Sequence, residues 1–348
     1  AGAEHADIQE IGMRASHAFI DAVGRRMDDM KSAGGHAKTA ELGLRRYAED
    51  ASETATDATP ASHAPAGMRG SLGLSLWGRA YDAWTSADGD HEAVGYDQET
   101  RGAVAGVDYA VADEWLIGAA AGWSKIDVDF VTSGDGADID TFNAAAYAAF
   151  ESGHFYADAL LGFGFHDVGS IRRIEVGPDI FTALAGYDAT TWALHGEAGG
   201  VFESGRYMIQ PFVALAFTSS STDGFAESGA GGLDLVVADA NAESLTTALG
   251  VRFSGTWKVG GVRLIPDAEI AWRHEYLDER QAFSATFAEN ADAGLHIVSS
   301  ALARDAAVVG AGVAAHVGKR LVLFLDYNGV ISDSTDTHAA SAGLRATW

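Results

Sequence analysis

The length, composition and charge of the chain exclude several classes of protein. Its 348 residues include 23 basic and 49 acidic side chains, and the net charge of −26 argues against nucleic acid or another polyanion as a partner. Hydrophobic residues make up 47% of the chain, with 42 glycines and only 5 prolines. The chain is therefore too apolar for disorder and too rich in glycine for a helical bundle, which leaves a β-rich protein.

The chain has no cysteine, which removes disulfide frameworks, thiolate metal sites and cysteine nucleophiles together. No basic, apolar secretory segment stands at the start, so Ala1 is expected to be a boundary or processing site within a longer precursor whose export signal lies upstream. No apolar run reaches the roughly 18 residues of a membrane-spanning helix, which excludes insertion by helices.

The first predicted element is an amphipathic helix over residues 6–31. Apolar side chains recur there at spacings of three and four, as one face of a helix requires. They are Ile8, Ile11, Ala15, Ala18, Phe19, Ala22 and Val23. The same segment carries Arg14, Arg25 and Arg26.

A polar tract rich in alanine, threonine and serine follows over residues 32–70. It has no core of its own, and residues 39–50 could form a second short helix. From residue 73 onward the pattern changes to period two, as the wall of a barrel requires. The twelve predicted strands are 73–85, 99–111, 114–130, 138–151, 153–169, 187–203, 206–219, 242–257, 262–276, 303–317, 319–331 and 335–348.

Every second connection between these strands is tight. The short pairs suited to hairpin turns are Ala112-Asp113, Ser152-Gly153, Ser204-Gly205, Gly260-Gly261 and Gly318-Lys319. The longer loops lie at about 86–98, 131–137, 170–186, 220–241, 277–302 and 332–334. Short turns on one side and long loops on the other are typical of outer-membrane barrels, and an even strand number places both ends of the wall on the side of the turns.

The alternation also predicts which side chains face lipid. In the strand that begins at residue 262, the apolar face consists of Val262, Leu264, Ala268, Ile270 and Trp272. The opposite face consists of Arg263, Asp267, Glu269, Arg273 and Glu275. A soluble barrel would enclose its apolar face, whereas here the charged face must be enclosed or wet. The sequence therefore predicts an all-β fold, a transmembrane antiparallel β-barrel of about twelve strands.

The last predicted strand ends on an aromatic residue. Leu344 and Trp348 share its apolar face and Arg345 lies on the other. Chains inserted by the barrel assembly machinery finish in this way, so these two apolar residues are predicted to form a C-terminal assembly signal. The alternative, an apolar edge strand of a soluble sheet, invites aggregation unless the sheet is closed.

Several stretches of the predicted barrel resemble the autotransporter β-domain, the translocator domain of type V secretion. They are Leu76-Trp77-Gly78-Arg79, Gly106-Val107-Asp108-Tyr109, Asp127-Val128-Asp129-Phe130, Trp272-Arg273-His274-Glu275, Asp326-Tyr327-Asn328-Gly329 and the final eight residues from Ser341. The helix with Phe19, Arg25 and Arg26 is similar to the helix that traverses the pore in that family. The tract before the first strand is longer than is common there.

The resemblance implies a barrel in the outer membrane of a Gram-negative bacterium, with an N-terminal α-helix in the pore. Residues 1–70 are then a helical linker and plug, and residues 71–348 the translocator barrel. The implied partners are an upstream passenger domain, outer-membrane lipid and lipopolysaccharide, and the assembly machinery, with no nucleic acid, no cofactor and no enzymatic activity. Long loops are expected to be extracellular, short turns and the C-terminus periplasmic, and the closed barrel a monomer.

We hypothesise that the helix arginines pair with acids of the lumen, which would hold the plug by charge rather than by apolar packing. The predicted pore-helix residues are Arg14, Phe19, Arg25 and Arg26. The predicted lumen-facing residues are Arg79, Asp108, Asp158, Glu197, Asp267, Glu269, Arg273 and Glu275. The alternative is that the arginines contact solvent at the rims.

The tryptophans divide into two groups. Trp77 is predicted to point inward with Arg79 and Tyr81 and to brace the helix, although the alternative register places it in the lipid-facing aromatic belt. The predicted belt residues, near strand ends, are Trp84, Trp115, Trp123, Trp192 and Trp272.

Two other functions compete with a translocator. A general diffusion porin would not need an amphipathic helix before its first strand. An outer-membrane hydrolase should show a convergent constellation, but His274 and Glu275 point to opposite faces of one strand, and no nucleophile motif accompanies Asp336 and His338. The acidic loops 88–92 and 134–138 lack the ligand spacing of a calcium loop, so no metal site is predicted.

Overall fold

A computed structural model describes residues 3–32, 73–89, 94–112, 114–131, 134–277, 282–299, 303–318 and 320–347. One helix, α1, covers Ala3–Ser32. The strands are β1 (Leu74–Ala87), β2 (Tyr96–Ala112), β3 (Trp115–Phe130), β4 (Gly136–Ser152), β5 (Phe155–Val176), β6 (Asp179–Gly200), β7 (Phe202–Ser204), β8 (Tyr207–Thr222), β9 (Phe225–Ala226), β10 (Leu235–Val237), β11 (Ala240–Gly255), β12 (Trp257–Val259), β13 (Val262–Glu275), β14 (Ala282–Phe287), β15 (Asn290–Val298), β16 (Asp305–Val317), β17 (Leu321–Ser332) and β18 (Thr335–Thr347). No helix in this part of the chain is long and apolar enough to cross a membrane.

Twelve long strands form one closed antiparallel barrel. They are β1 to β6, β8, β11, β13, β16, β17 and β18, each paired with the next, and β1 pairs with β18 to close the ring. The short strands β7 and β12 pair with β8 and β13 beside the tight turns. The predicted twelve-stranded barrel with an N-terminal helix is confirmed. The predicted tract 32–70, with its second helix at 39–50, lies outside the described residues except at Ser32.

The tight turns and the long loops lie at opposite ends of the barrel, here called the turn end and the long-loop end. Four predicted tight turns contain a glycine with positive φ, between 54° and 68°, a conformation that side-chain-bearing residues rarely adopt. They are Gly153, Gly205, Gly260 and Gly318. These turns join strands at the same end at which β1 begins and β18 ends.

Three of the predicted long loops are wrong in part, because they contain strands. Residues 170–186 continue β5 and β6 as a hairpin that turns at Gly177. The loops 220–241 and 277–302 supply β9, β10, β14 and β15, which form a separate antiparallel sheet in the order β15-β14-β10-β9, here called the cap sheet. Strands this short carry too brief a period-two pattern to be separated from loop by sequence.

Side chains alternate between the lumen and the outside along every barrel strand. On β5, Phe163 and Phe165 are 48% and 55% exposed, whereas Asp158 and His166 are 7% and 2% exposed. Apolar residues outside and polar residues inside reverse the pattern of a soluble barrel, as a lipid environment requires. The predicted belt tryptophans also face outward. Two of them, Trp123 and Trp192, lie away from the strand ends, contrary to the expectation.

Several inward aromatic side chains lie directly opposite a glycine on the next strand. Among the pairs are Trp77 with Gly106, Tyr81 with Gly102, Tyr147 with Gly118 and Tyr156 with Gly199. At Gly106, a Cβ atom would lie 2.5 Å from Cε2 of Trp77, closer than carbon atoms can approach. Each glycine therefore provides the space into which its aromatic ring folds, flat against the inner wall.

Replacing Gly106 by alanine is expected to displace Trp77 and destabilise the folded barrel by about 1–3 kcal/mol, the usual effect of overpacking. The measurement is the urea concentration at the midpoint of unfolding in detergent. The folded fraction is monitored by the electrophoretic mobility of unheated samples. Gly162→Ala is the matched control, because it also faces the lumen but its Cβ would find its nearest neighbour at 3.5 Å. Equal midpoints for the two variants would show that the pairing is dispensable.

The helix α1 lies inside the barrel, roughly along its length. Ile8 belongs to a buried cluster with Tyr96, near the long-loop end. Met27 belongs to a cluster with Leu116, near the turn end. The N-terminus of α1 is therefore at the long-loop end and its C-terminal part near the turn end. A helix is a suitable occupant of a lumen because it satisfies its own backbone hydrogen bonds.

Candidate functional site

One face of α1 packs against an apolar side of the inner wall. Phe19, Ile20, Val23 and Met27 are buried in a single cluster with wall residues. The wall members are Trp77, Tyr81, Val104, Leu116, Ala120, Ala145, Tyr147, Ala149, Leu160 and Ala193, all on β1 to β6. The hypothesis that charge rather than apolar packing holds the plug is therefore wrong about the packing, because apolar contacts also hold the helix. Burial of each large apolar side chain contributes about 1.5–3 kcal/mol.

The inward register of Trp77 makes this packing possible. Its side chain is 4% exposed, not lipid-facing, and its indole Nε1 donates to the Tyr147 hydroxyl at 2.8 Å. Tyr147 in turn donates to Asp108 Oδ2 at 3.1 Å. Trp77 thus braces the helix by contact and also orients the acid with which the helix pairs.

Arg26 and Asp108 form a buried ion pair between α1 and β2. Arg26 Nε and Nη2 donate to the two carboxylate oxygens, each at 2.9 Å, and the residues are 2% and 1% exposed. Two parallel hydrogen bonds fix both the distance and the orientation of a guanidinium. This pair therefore sets the rotation of α1 about its own axis at the turn end.

Arg252 on β11 lies at the centre of a second ionic cluster. It donates to both carboxylate oxygens of Glu197, at 2.6 and 2.8 Å, and its Nε lies 2.8 Å from Glu269 Oε2. Its Nη1 is 3.1 Å from Asp28 Oδ1 of the helix, and Arg25 Nη1 is 3.4 Å from Glu269 Oε2. The polar face of α1 is thus bound to the wall through one acidic side chain, Asp28, and one basic side chain, Arg25.

Sequence reasoning did not single out Arg252 and Asp28. A signal for the arginine existed, because Arg252 alternates with Val251 and Phe253 in a predicted strand and a charged residue there must face the lumen. The guanidinium also lies 4.1 Å from the ring centre of Phe212, a cation–π contact. Nothing in the sequence indicated that a helix acid would meet a wall arginine.

A third group joins the strands at the closing seam of the barrel. Arg79 Nη1 on β1 donates to Asp326 of β17, and to Ser341 Oγ of β18 at 2.9 Å. The Arg79 guanidinium also stacks 5.4 Å from the ring centre of Phe324. These contacts link the first strand to the last two, so they stabilise the closure itself.

The remaining predicted wall residues lie on the inner face of the barrel. Glu275 accepts from Ser244 Oγ at 2.5 Å and from the backbone NH of Leu245 at 2.9 Å, so it joins β13 to β11. Asp158 and Arg273 line a cavity beside the helix, and Asp267 lines a smaller pocket together with Arg25. The backbone of Arg14 is in α1, but its side chain lies outside the described residues.

A cavity of about 330 Å³, lined by both apolar and charged side chains, separates the other face of α1 from the wall. His17, Asp21 and Asp28 of the helix face wall residues that include His195 and Glu269. His17 Nε2 lies 3.0 Å from Thr218 Oγ1. The helix therefore fills one side of the lumen tightly and leaves the other side wide enough for water.

The first turn of α1 is held by a buried cluster at the long-loop end. His5 Nε2 lies 2.8 Å from Glu227 Oε1, and Arg172 Nε donates to the same oxygen at 2.8 Å. Burial alone would raise the pKa of Glu227, but hydrogen bonds from Arg172 and His5, and their charges, lower it to about 2. This carboxylate is therefore ionised at any physiological pH.

The residues of the C-terminal strand occupy the predicted faces. Leu344 is 50% exposed on the outer surface and lies opposite Gly78 and Leu323 on its two neighbours. Trp348 lies outside the described residues. On the outer surface, His274 bonds to Asp305 rather than to Glu275, and His338 bonds to Tyr327 rather than to Asp336.

An apolar outer face, a charged lumen and a helix within it define an outer-membrane barrel with an occupied pore. The sequence matches the family described as Autotransporter beta-domain over residues 76–328, and the chain belongs to that family. It is an outer-membrane translocator of a Gram-negative bacterium, a transporter rather than an enzyme. The family implies a monomeric barrel with an attached passenger domain.

Known relatives share this domain at low identity. An extracellular serine protease of Serratia marcescens is 27% identical over 273 residues, which cover 78% of this chain and 26% of that protein. Esterase EstA of Pseudomonas aeruginosa is 24% identical over 219 residues, 62% of this chain and 32% of that protein. The chain thus spans only about a quarter to a third of these relatives.

Solved structures with this fold include two autotransporter domains. The translocator domain of NalP from Neisseria meningitidis has a TM-score of 0.66 at 15% identity, covering 91% of this chain and 99% of that one. The β domain of the Bordetella autotransporter BrkA has a TM-score of 0.59 at 20% identity, covering 79% of this chain and all of that one. At these low identities, both similarities establish the fold alone.

Proposed function

We propose that this chain exports and anchors its own upstream passenger, with residues 1–70 as linker and plug and residues 71–348 as the barrel. The observation that carries the proposal is the direction of α1 in the lumen. Its N-terminus lies at the long-loop end, so a chain that continues upstream leaves the barrel there without crossing it again. The same helix that led the passenger out then remains as the plug.

The same direction of α1 supports one orientation in the membrane, because an exported passenger must lie outside the cell. Long loops face the outside of the cell, while the tight turns and the C-terminus face the periplasm. The chain lacks cysteine, so single cysteines can report the orientation. In intact cells a membrane-impermeant maleimide should label Asp179→Cys in the long hairpin and spare Arg206→Cys at a tight turn; labelling of the second alone would reverse the assignment.

The partners of the barrel wall are lipids and the assembly machinery. The outward apolar side chains support contact with outer-membrane lipid and, at the long-loop end, with lipopolysaccharide. Leu344 and Trp348 form the C-terminal signal that the barrel assembly machinery recognises. The net charge of −26 disfavours nucleic acid.

The plug is tested by single-channel conductance of the refolded chain with and without residues 1–70. We expect small conductance from the full chain and a several-fold increase after truncation, because the helix occupies one side of the lumen. Electrophoretic mobility of unheated samples controls for folding of both forms. Large, steady conductance from both forms would favour a diffusion porin, and small conductance from both would disprove the plug.

A further inference from the structure

The cap sheet and the first turn of α1 share one hydrophobic core. Ala6 of the helix is completely buried together with Leu235 and Val237 of β10 and with Phe283 and Ala285 of β14. The cap strands belong to two loops that are joined to each other mainly through β10 and β14. Without the helix, this small sheet would expose the apolar face that now covers Ala6.

Aromatic contacts extend this core to the barrel wall. The His5 ring meets Phe225 of β9 edge-on, with ring centres 5.0 Å apart. The Phe225 ring stacks on the Tyr187 ring of β6, and the two ring centres are 4.0 Å apart. The first turn of α1 thus lies between the cap sheet and the part of β6 that is nearest the long-loop end.

Glu227 connects all three parts of this assembly. Its carboxylate accepts from Arg172 of the long hairpin, lies 2.8 Å from His5 Nε2 of α1, and accepts from the backbone NH of Leu235 in the cap at 2.7 Å. Arg172 Nη2 also donates to the carbonyl oxygen of Leu233 at 3.0 Å. The Glu227 and His5 side chains are each 1% exposed, so these bonds are shielded from water.

We propose that the cap sheet is a lid that latches onto the first turn of α1, with Glu227 as its positioning residue. The core of the lid is complete only when Ala6 and His5 are in place, so the lid closes the long-loop end after the helix has reached its final position. An extended chain in transit supplies no such turn and leaves the lid open. This inference rests on the proposed plug role of α1.

Hydrogen–deuterium exchange of the full chain in detergent tests the latch. In Glu227→Ala, peptides covering residues 225–237 and 282–298 should exchange about tenfold faster or more, because Arg172 loses its buried counter-charge. Peptides from β16 to β18 should keep their wild-type rates. Glu175→Ala is the matched control, since Glu175 is exposed at the tip of the same hairpin.

A second variant keeps the proposal falsifiable if Glu227→Ala fails to fold. Ala6→Asp introduces a carboxylate into the shared core from the helix side and should accelerate exchange in the same cap peptides. Wild-type rates in the cap for either folded variant would overturn the latch. Conductance separates this failure from that of the plug. If conductance rises on truncation but neither substitution changes exchange in the cap peptides, the chain has a plug without a latch.

Discussion

Replacing Asp108 by alanine is expected to release the C-terminal half of α1 from the wall while the twelve strands stay closed. The Arg26 guanidinium is buried and donates two hydrogen bonds to this carboxylate. Its loss leaves a buried charge unpaired, which costs about 3–5 kcal/mol. Exchange in peptides covering residues 19–32 should rise roughly a hundredfold or more, since about 1.4 kcal/mol corresponds to a factor of ten.

Two controls separate the ion pair from general damage. In the double variant Asp108→Ala/Arg26→Leu the unpaired charge is gone, and apolar replacements of buried pairs are often neutral, so exchange should return most of the way to wild type. Asp138→Ala removes a carboxylate whose side chain is 67% exposed and should change nothing in α1. Wild-type exchange in Asp108→Ala itself would mean that apolar packing alone holds the helix.

Replacing Arg252 by leucine is expected to detach the polar face of α1 and to loosen the wall between β6, β11 and β13. The guanidinium contacts Glu197, Glu269 and Asp28, so its removal takes away the cation that these carboxylates share and leaves Arg25 beside Glu269. The expected cost is about 3–5 kcal/mol, from unpaired buried charge and mutual repulsion. The measurements are the urea midpoint of the barrel and the exchange of residues 19–32.

A second substitution at Arg252 separates the effect of its positive charge from the effect of its planar shape. Arg252→Lys keeps the charge but loses the planar fork that reaches Glu197 with two bonds, so an intermediate effect is expected. Arg101→Leu is the control for loss of an arginine, because the Arg101 side chain is 61% exposed on the outer surface. If Arg252→Leu matched this control, the cluster would contribute no stability.

Much of the barrel could be predicted because its signal is local. A strand alternates its side chains between two faces by covalent geometry, so Phe163 and His166 identify their faces without knowledge of the partners. Gly153 and Gly205 mark tight turns for an equally local reason, since their positive φ suits glycine. The cap sheet was missed because two of the strands that pair in it, β10 and β14, lie far apart in the chain.

The candidate site was predictable only in part. Arg26 and Asp108 were each placed on the correct element, but their pairing depends on where α1 lies in the lumen, which the burial of Phe19 and Val23 against the wall helps to set. Glu227 and Arg172 lie in segments predicted as loops, where a charged residue is ordinarily solvated. Their burial results from the cap sheet closing over them.

By itself the sequence determined the number of strands, their inward and outward faces, the helix before them and the family, because periodicity and turn chemistry act within a few residues. The tertiary structure decided which side of the lumen is apolar, that Arg252 meets Asp28 of the helix, and that two loops form a sheet over Ala6. These contacts join residues separated by tens to hundreds of positions. Strand tilt and barrel closure bring such residues together, and no local pattern records that geometry.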